Sequence, residues 1–490
     1  MGGEGKSSPS KFSIGIGGLL KLGKVAVGVG AGSVGIGVGK GSVGVDAGPF
    51  GISIGGDAAD QWGLRAVGFT PLDDPASAWR LEDGTKKNVI VAIIDSGLDM
   101  EHPDGPQYVW INPGEVPGNG IDDDENVFID DVNGWNFVYE NNDLTDDNGH
   151  GTFVSGIIAA NTNNGIGIAG INPGAQIMVL KVVNRDGRCE SLNIFRALRY
   201  AANHGAKIIN ISLGAEGMSR LEQLGVNYAH YRGAVVVVAA GNQASDITKH
   251  SPAGLRKVFS VSATKMEGKL KQGSNFGPTV ALAAPGENIF SLTSKDGKHD
   301  GMITPIATTE YHQLSGTSFA APFVAGVASL MLAKTPELTN FEIEEILLAT
   351  ARDIDAEGWD IYTGAGILDA KGALTQSTEK ALVARITEIL INREKEDFVS
   401  ADVYGTVQGD FESYIVEVGR GKNPKKWEKV YGPSKEIVSD GHICRIEKDT
   451  MEREGDWVVR IKTHDRSGRE RLVNIPIFTG TQSSVTLEEL

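Results

Sequence analysis

Cysteine is almost missing from this chain: Cys189 and Cys444 are the only two among 490 residues. They lie far apart and have no metal-ligand spacing. Neither a disulfide framework nor a thiolate metal centre is therefore expected, and stability must come from packing or bound ions. No run of 18 or more apolar residues occurs, so no transmembrane segment is expected. A compact apolar stretch is also lacking at the N-terminus, where apolar residues are diluted with glycine and interrupted by Lys21 and Lys24. A secretory leader is not expected there. Basic charge is in short supply, with 46 Lys and Arg against 63 Asp and Glu for a net charge of −17. That balance disfavours a nucleic-acid partner and suits an enzyme, or clustered Asp side chains that hold calcium.

What is abundant is glycine, with 64 residues, many of them in the first sixty positions. There Val and Ile alternate with Gly, and Gly41 to Val45 echoes Gly32 to Ile36 nine residues earlier. Alternation suggests extended chain, yet glycine raises the cost of ordering it. Two readings of residues 1–60 stand: a flexible arm, or a glycine-rich β-layer that needs a partner surface.

The length exceeds what one core usually serves, and the composition changes twice. From 61 to 375, β-branched runs such as Val89 to Asp95, Gln176 to Val183, Lys207 to Ser212 and Ala234 to Ala240 alternate with amphipathic stretches such as Leu192 to His204. Continuous apolar runs of this length predict strands buried on both faces of a parallel sheet, with helices covering both sides. Sites in such α/β sheets gather at the carboxyl ends of the strands. From 376 to 490 the strands alternate polar and apolar residues, as in Tyr414 to Val418 and Trp457 to Lys462, which predicts an antiparallel β-sandwich-like accessory domain.

Several polar residues fall at the predicted strand and helix ends. Asp95 closes the buried run Val89 to Ile94, where a carboxylate is costly unless paired. His150 sits in Asn148-Gly149-His150-Gly151-Thr152 at the start of a helix, where flanking glycines allow close backbone approach. Ser318 lies in the first turn of an apolar helix, within Gly316-Thr317-Ser318-Phe319-Ala320-Ala321-Pro322. A helix N-terminus favours negative charge developing beside it. Taken singly, each has a structural explanation, as a strand cap, a surface histidine or an N-cap serine.

Together, in the order Asp, His, Ser, these segments resemble the subtilisin-like serine protease family over residues 70 to 372. His102-Pro103-Asp104 and Ala239-Ala240-Gly241-Asn242 add to the match. The resemblance implies a subtilisin-like fold and a serine endopeptidase acting on protein or peptide substrates through an acyl-enzyme. It implies a triad of Asp95, His150 and Ser318, with Asn242 as oxyanion donor. It also implies that Ser212, Leu213 and Gly214 face Ala240 and Gly241 across a specificity pocket, whose small residues would admit a sizeable apolar or aromatic side chain. An extracellular setting is the family default. Departures are Phe153, where the family has a second histidine, and the first seventy residues, which resemble no folded inhibitory segment. The rival readings are a non-catalytic scaffold of the same fold, and a chain whose working part is the C-terminal sandwich.

Two calcium sites are expected. Asp122, Asp124 and Asn126 alternate, with the Phe128 carbonyl and Asp130 or Asp131 able to close an oxygen shell. The resemblance implies the second, with Asp104 supplying a carboxylate to the loop that carries Thr162, Asn164, Ile166 and Ile168, and Asp73 or Asp74 as a further ligand.

Overall fold

A computed structural model describes residues 61–70, 74–86, 89–297, 310–354, 359–377 and most of 382–479, together with short strand pieces between 28 and 52. The readings of residues 1–60 as a whole, and of Asp73, lie outside the described residues. The chain divides into two compact units, Met1–Thr378 and Glu379–Leu490.

In the first unit the β-branched runs form seven strands. They are β1 (Ile90–Asp95), β2 (Gly134–Asn136), β3 (Gln176–Lys181), β4 (Ile208–Ile211), β5 (Val235–Ala239), β6 (Phe259–Thr264) and β7 (Val280–Pro285). They make one sheet in the order β7-β6-β5-β4-β1-β3-β2, and every pairing is parallel. Because strand side chains alternate between faces, Ala92, Ile94, Met178, Leu180, Ile209, Ile211, Val236 and Val238 point one way. They share a core with Ile194, Ala197, Leu198 and Ala201 of helix α2 (Ser191–Asn203) and Val226 and Ala229 of α3 (Arg220–Tyr231). The central helix α4 (Thr317–Lys334) packs on β4, β5, β6 and β7 without joining that cluster, and also meets α1 (His150–Ala159). The sheet is thus covered on both faces, as the alternation of apolar runs and helices predicts. Among the described residues α4 is long and apolar enough to cross a membrane, but 94% of it is buried within the protein. Its apolar circumference is what a core helix needs.

The second unit is antiparallel throughout. Strands β8 (Val383–Glu394), β9 (Asp397–Gln408) and β12 (Val438–Glu447) form one sheet in the order β8-β9-β12. The other sheet runs β11 (Glu428–Ser434), β10 (Ser413–Arg420), β13 (Asp456–His464), β14 (Glu470–Phe478). Ala401, Val403 and Ile446 of the first sheet bury against Tyr414, Val416, Val459 and Ile461 of the second in a single cluster. Two sheets facing across one core is sandwich packing.

Candidate active site

The carboxyl end of β1 places Asp95 inside the protein, 1% exposed. Its Oδ1 accepts from the Ser96 N–H at 2.8 Å, and the carboxylate meets His150 Nδ1 at 2.8 and 3.0 Å. His150 is the first residue of α1 and is 2% exposed. Gly149 before it has φ +98°, and a Cβ on Gly151 after it would lie 2.3 Å from the Gly97 carbonyl. Both flanking positions therefore exclude a side chain, one by conformation and one by contact.

Asp146 holds the start of α1 against the end of β1. Oδ1 accepts from Ser96 Oγ and the Gly149 N–H, and Oδ2 accepts from the N–H and hydroxyl of Thr152, all at 2.7–2.8 Å. Ser96 Oγ in turn accepts from the Gly151 N–H at 2.8 Å. Lys181, at the end of β3, donates its buried amine to the Ser96 carbonyl at 2.5 Å and to Asp147 at 2.6 Å. Burial opposes charging of the His150 ring, but Asp95 and then Asp146 outweigh it, so its pKa is raised above the usual histidine value.

Ser318 lies in the first turn of α4 and is 4% exposed. Its hydroxyl donates to the Ser212 carbonyl at 2.8 Å, and Ser212 Oγ donates to the Ser318 carbonyl at 2.8 Å. His150 Nε2 is buried with no hydrogen-bond partner among the described residues. The neighbouring Phe319 ring is 5.5 Å from the imidazole and 4.5 Å from Phe153, so the phenylalanine found in place of a second histidine packs the junction of α1 and α4. Asn242 turns its Oδ1 to the Thr317 N–H at 2.9 Å and to the Thr317 hydroxyl at 3.4 Å. Its amide nitrogen keeps no protein partner among the described residues. The Thr317 hydroxyl accepts from the Gly241 N–H at 3.0 Å, which ties this loop to the start of α4.

A cleft of about 360 Å³, counting its open mouth, adjoins Ser318. Ser212, Leu213 and Gly214 form one wall and Ala240, Gly241 and Asn242 another, with Gln243, His250 and Ser251 also lining it. The small-residue walls were legible in the sequence, but the polar end was not.

The acidic loop is arranged differently from its spacing. Glu115, Asp124 and Asp131 bring ligand atoms within 4.8 Å of one another. Asp131 is fully buried and Glu115 is 8% exposed. Glu115 Oε1 accepts from the N–H groups of Asp123 and Asp124 at 3.0 and 3.4 Å, whereas Oε2 is buried and unpartnered. Burial, with Asp131 and Asp124 adding to it, raises the Glu115 pKa. A buried oxygen with no partner among the described residues, on a carboxylate close to two others, suits a hard cation. Asp122 stays outside this group because its carboxylate accepts from the N–H groups of Asn126 and Val127 at 2.9 and 2.8 Å. Asn126 offers its amide nitrogen to Asp131 at 3.0 Å and its oxygen to the Phe128 N–H at 2.8 Å. The Phe128 ring packs against Trp135, Phe137 and Tyr200. Asp130 caps Asn119 and Gly120.

Asp104 is fully buried, and its pKa is raised mainly by that burial. It accepts from Asn164 Nδ2 at 2.6 Å, the Ile168 N–H at 2.8 Å and the Tyr311 hydroxyl at 3.3 Å. Thr162 turns its hydroxyl to the Ala160 carbonyl at 3.3 Å, and the Ile166 N–H donates to Asn164 Oδ1 at 3.1 Å. Asp74 caps its own turn through the Ala76 N–H.

Comparison with known proteins gives the family. The family model for the subtilase family matches residues 86–366. A thermophilic serine proteinase from Bacillus sp. (strain AK1) is 35% identical over 298 residues, covering 61% of this chain and 64% of that protein. Thermitase from Thermoactinomyces vulgaris is 35% identical over 298 residues, covering 61% of this chain and 91% of thermitase. The crystal structure of a lanthipeptide protease superposes with a TM-score of 0.52 at 26% identity, covering 64% of this chain and 94% of that one. The chain belongs to the subtilase family. It spans less than two thirds of some of these relatives, 64% of the Bacillus proteinase and 49% of subtilisin-like protease 1 of Plasmodium berghei.

Proposed function

We propose that this chain is a serine endopeptidase that hydrolyses peptide bonds in protein or peptide substrates through an acyl-enzyme. The observation that carries the reading is the buried Asp95–His150 pair at 2.8 Å, whose outer ring nitrogen, Nε2, is left unpartnered among the described residues, beside the helix that bears Ser318. In the proposed reaction the Ser318 hydroxyl leaves the Ser212 carbonyl by rotation about its Cα–Cβ bond and gives its proton to His150 Nε2. Its oxygen attacks the substrate carbonyl. Asp95 holds the imidazole tautomer and stabilises the ring once it is cationic. Asn242 Nδ2 and the Ser318 N–H would donate to the oxyanion. A donor of this kind is worth about 10²–10³ in turnover, a figure measured on subtilisin itself. His150 then protonates the leaving amine, and water repeats the sequence on the ester.

Ser318→Ala is expected to abolish turnover while leaving the melting temperature within a few degrees. A fluorophosphonate probe should label the native chain at Ser318 and fail on the variant. Labelling elsewhere, or full proteolysis by the variant, overturns the assignment.

We also propose calcium at Glu115, Asp124 and Asp131, where the ion would neutralise three converging carboxylates. A second calcium is proposed at Asp104 with the 162–168 loop. Its support is a fully buried carboxylate that accepts from N–H and O–H donors.

A further inference from the structure

The cleft beside Ser318 ends on side chains that the proposed reaction does not use. His250 and Ser251 form a two-residue strand paired antiparallel with Ala215–Glu216, and both residues line the cleft. His250 is 6% exposed, and its Nε2 lies 2.6 Å from Ser245 Oγ. Asn275 Oδ1, the other acceptor in reach of that hydroxyl, already takes the N–H groups of Gln243 and Ser245 at 2.9 and 3.1 Å and is 3.4 Å away. With the hydroxyl proton given to the shorter contact, Nε2 is the acceptor and the ring proton sits on Nδ1. Nδ1 has no protein partner among the described residues, and His250 lines the cleft. Burial lowers the His250 pKa against the pull of Glu216 and Asp246, so the ring is neutral near pH 7. Gln243, which also lines the cleft, spends its Oε1 on the N–H of Asn242 and the amide of Asn275, and its Nε2 donor has no protein partner among the described residues.

We propose that this pocket selects a substrate residue whose side chain ends in a neutral acceptor oxygen, glutamine above all, with His250 Nδ1–H as the reading donor and Gln243 as its companion. Two donors on one cleft ask for an oxygen. The nearby carboxylates of Glu216 and Asp246 set glutamine above glutamate. The proposal rests on the proteolytic reading above and names the substrate class of that same site. It departs from the sizeable apolar residue that the small-residue walls suggest. His250 acts on specificity and not on the bond-breaking step.

The test is a peptide series varied only at the residue that supplies the scissile carbonyl, with Gln, Glu, Met, Leu and Phe compared by kcat/KM. Methionine matches the length of glutamine and lacks the acceptor. Native enzyme should prefer Gln to Met by about tenfold, the worth of one hydrogen bond made in a dry site. His250→Leu should bring that ratio to about one. Ser245→Ala releases the tautomer without touching the cleft wall and should lower the ratio as well, which covers the case in which His250→Leu does not fold. Equal rates for Gln and Met on native enzyme, or a ratio unchanged in folded variants, overturns the proposal. Failure of the proteolytic reading looks different: no peptide in the series is cut and Ser318 takes no fluorophosphonate.

Discussion

At the scale of single residues, His150 carries the pH behaviour. A general base must be neutral, so activity rises as the ring loses its proton. The carboxylates of Asp95 and Asp146 hold the cation in place against the cost of burial, and the acid limb of kcat/KM is expected above the ordinary histidine value of 6.5. Asp95→Asn removes the carboxylate with the larger effect on the ring. The limb should then move to lower pH while turnover falls by about 10⁴, the loss seen when the tautomer is no longer fixed. A pH–rate profile of both proteins checks this, and a limb that stays in place would assign the charge to another group. The residues of this reading were legible because each lies in a short contiguous string: Asp95 at a strand end, His150 between glycines, Ser318 and Asn242 in runs of small residues. Lys181 and Glu115 were not legible. Their roles come from partners 34 or 85 residues away for Lys181, and for Glu115 from an orphaned oxygen that appears only when the loop closes on itself.

At the scale of elements, the site depends on how β1 ends against the start of α1. Asp146 lies in neither element, yet it fastens Ser96, just past the end of β1, to the N-cap Gly149 and to Thr152 of α1. Asp146→Ala would strand buried donors that cost about 1–3 kcal/mol each when unsatisfied. A net loss of about 3 kcal/mol is expected after relaxation, which lowers the melting temperature by roughly 6–12 °C. Turnover should fall more than KM changes, because the His150 ring shifts relative to Ser318 while the cleft walls stay. Calorimetry and steady-state kinetics on one preparation read both effects, and a destabilised variant with native turnover would sink the coupling. The long elements were readable because periodicity needs length. The β-branched runs became β1, β3, β4 and β5, and the stretch read as Leu192 to His204 became Ser191–Asn203. The ladder of Ala215–Glu216 with His250–Ser251 has two residues on each side, too few for any pattern to show.

At the scale of the whole molecule, the net charge of −17 is an electrostatic load that the chain must manage. Part of it converges at Glu115, Asp124 and Asp131, beside the aromatic packing of Phe128, Trp135 and Tyr200. A cation bound there stabilises the folded state by mass action, about 2.7 kcal/mol when its concentration is a hundred times its dissociation constant. Removing calcium with a chelator should therefore lower the melting temperature by several degrees, and adding calcium should restore it. Two substitutions separate this geometry from the alternating-oxygen spacing. Glu115→Gln should blunt the calcium response, because it weakens the one carboxylate whose unpartnered oxygen is buried close to the other two. Asp122→Asn should leave most of the response, because that side chain is spent on the N–H groups of Asn126 and Val127. Thermal melts of the three proteins across a calcium series decide between them. A response lost in Asp122→Asn and kept in Glu115→Gln would return the site to the alternating residues and leave the orphaned Glu115 oxygen without an explanation.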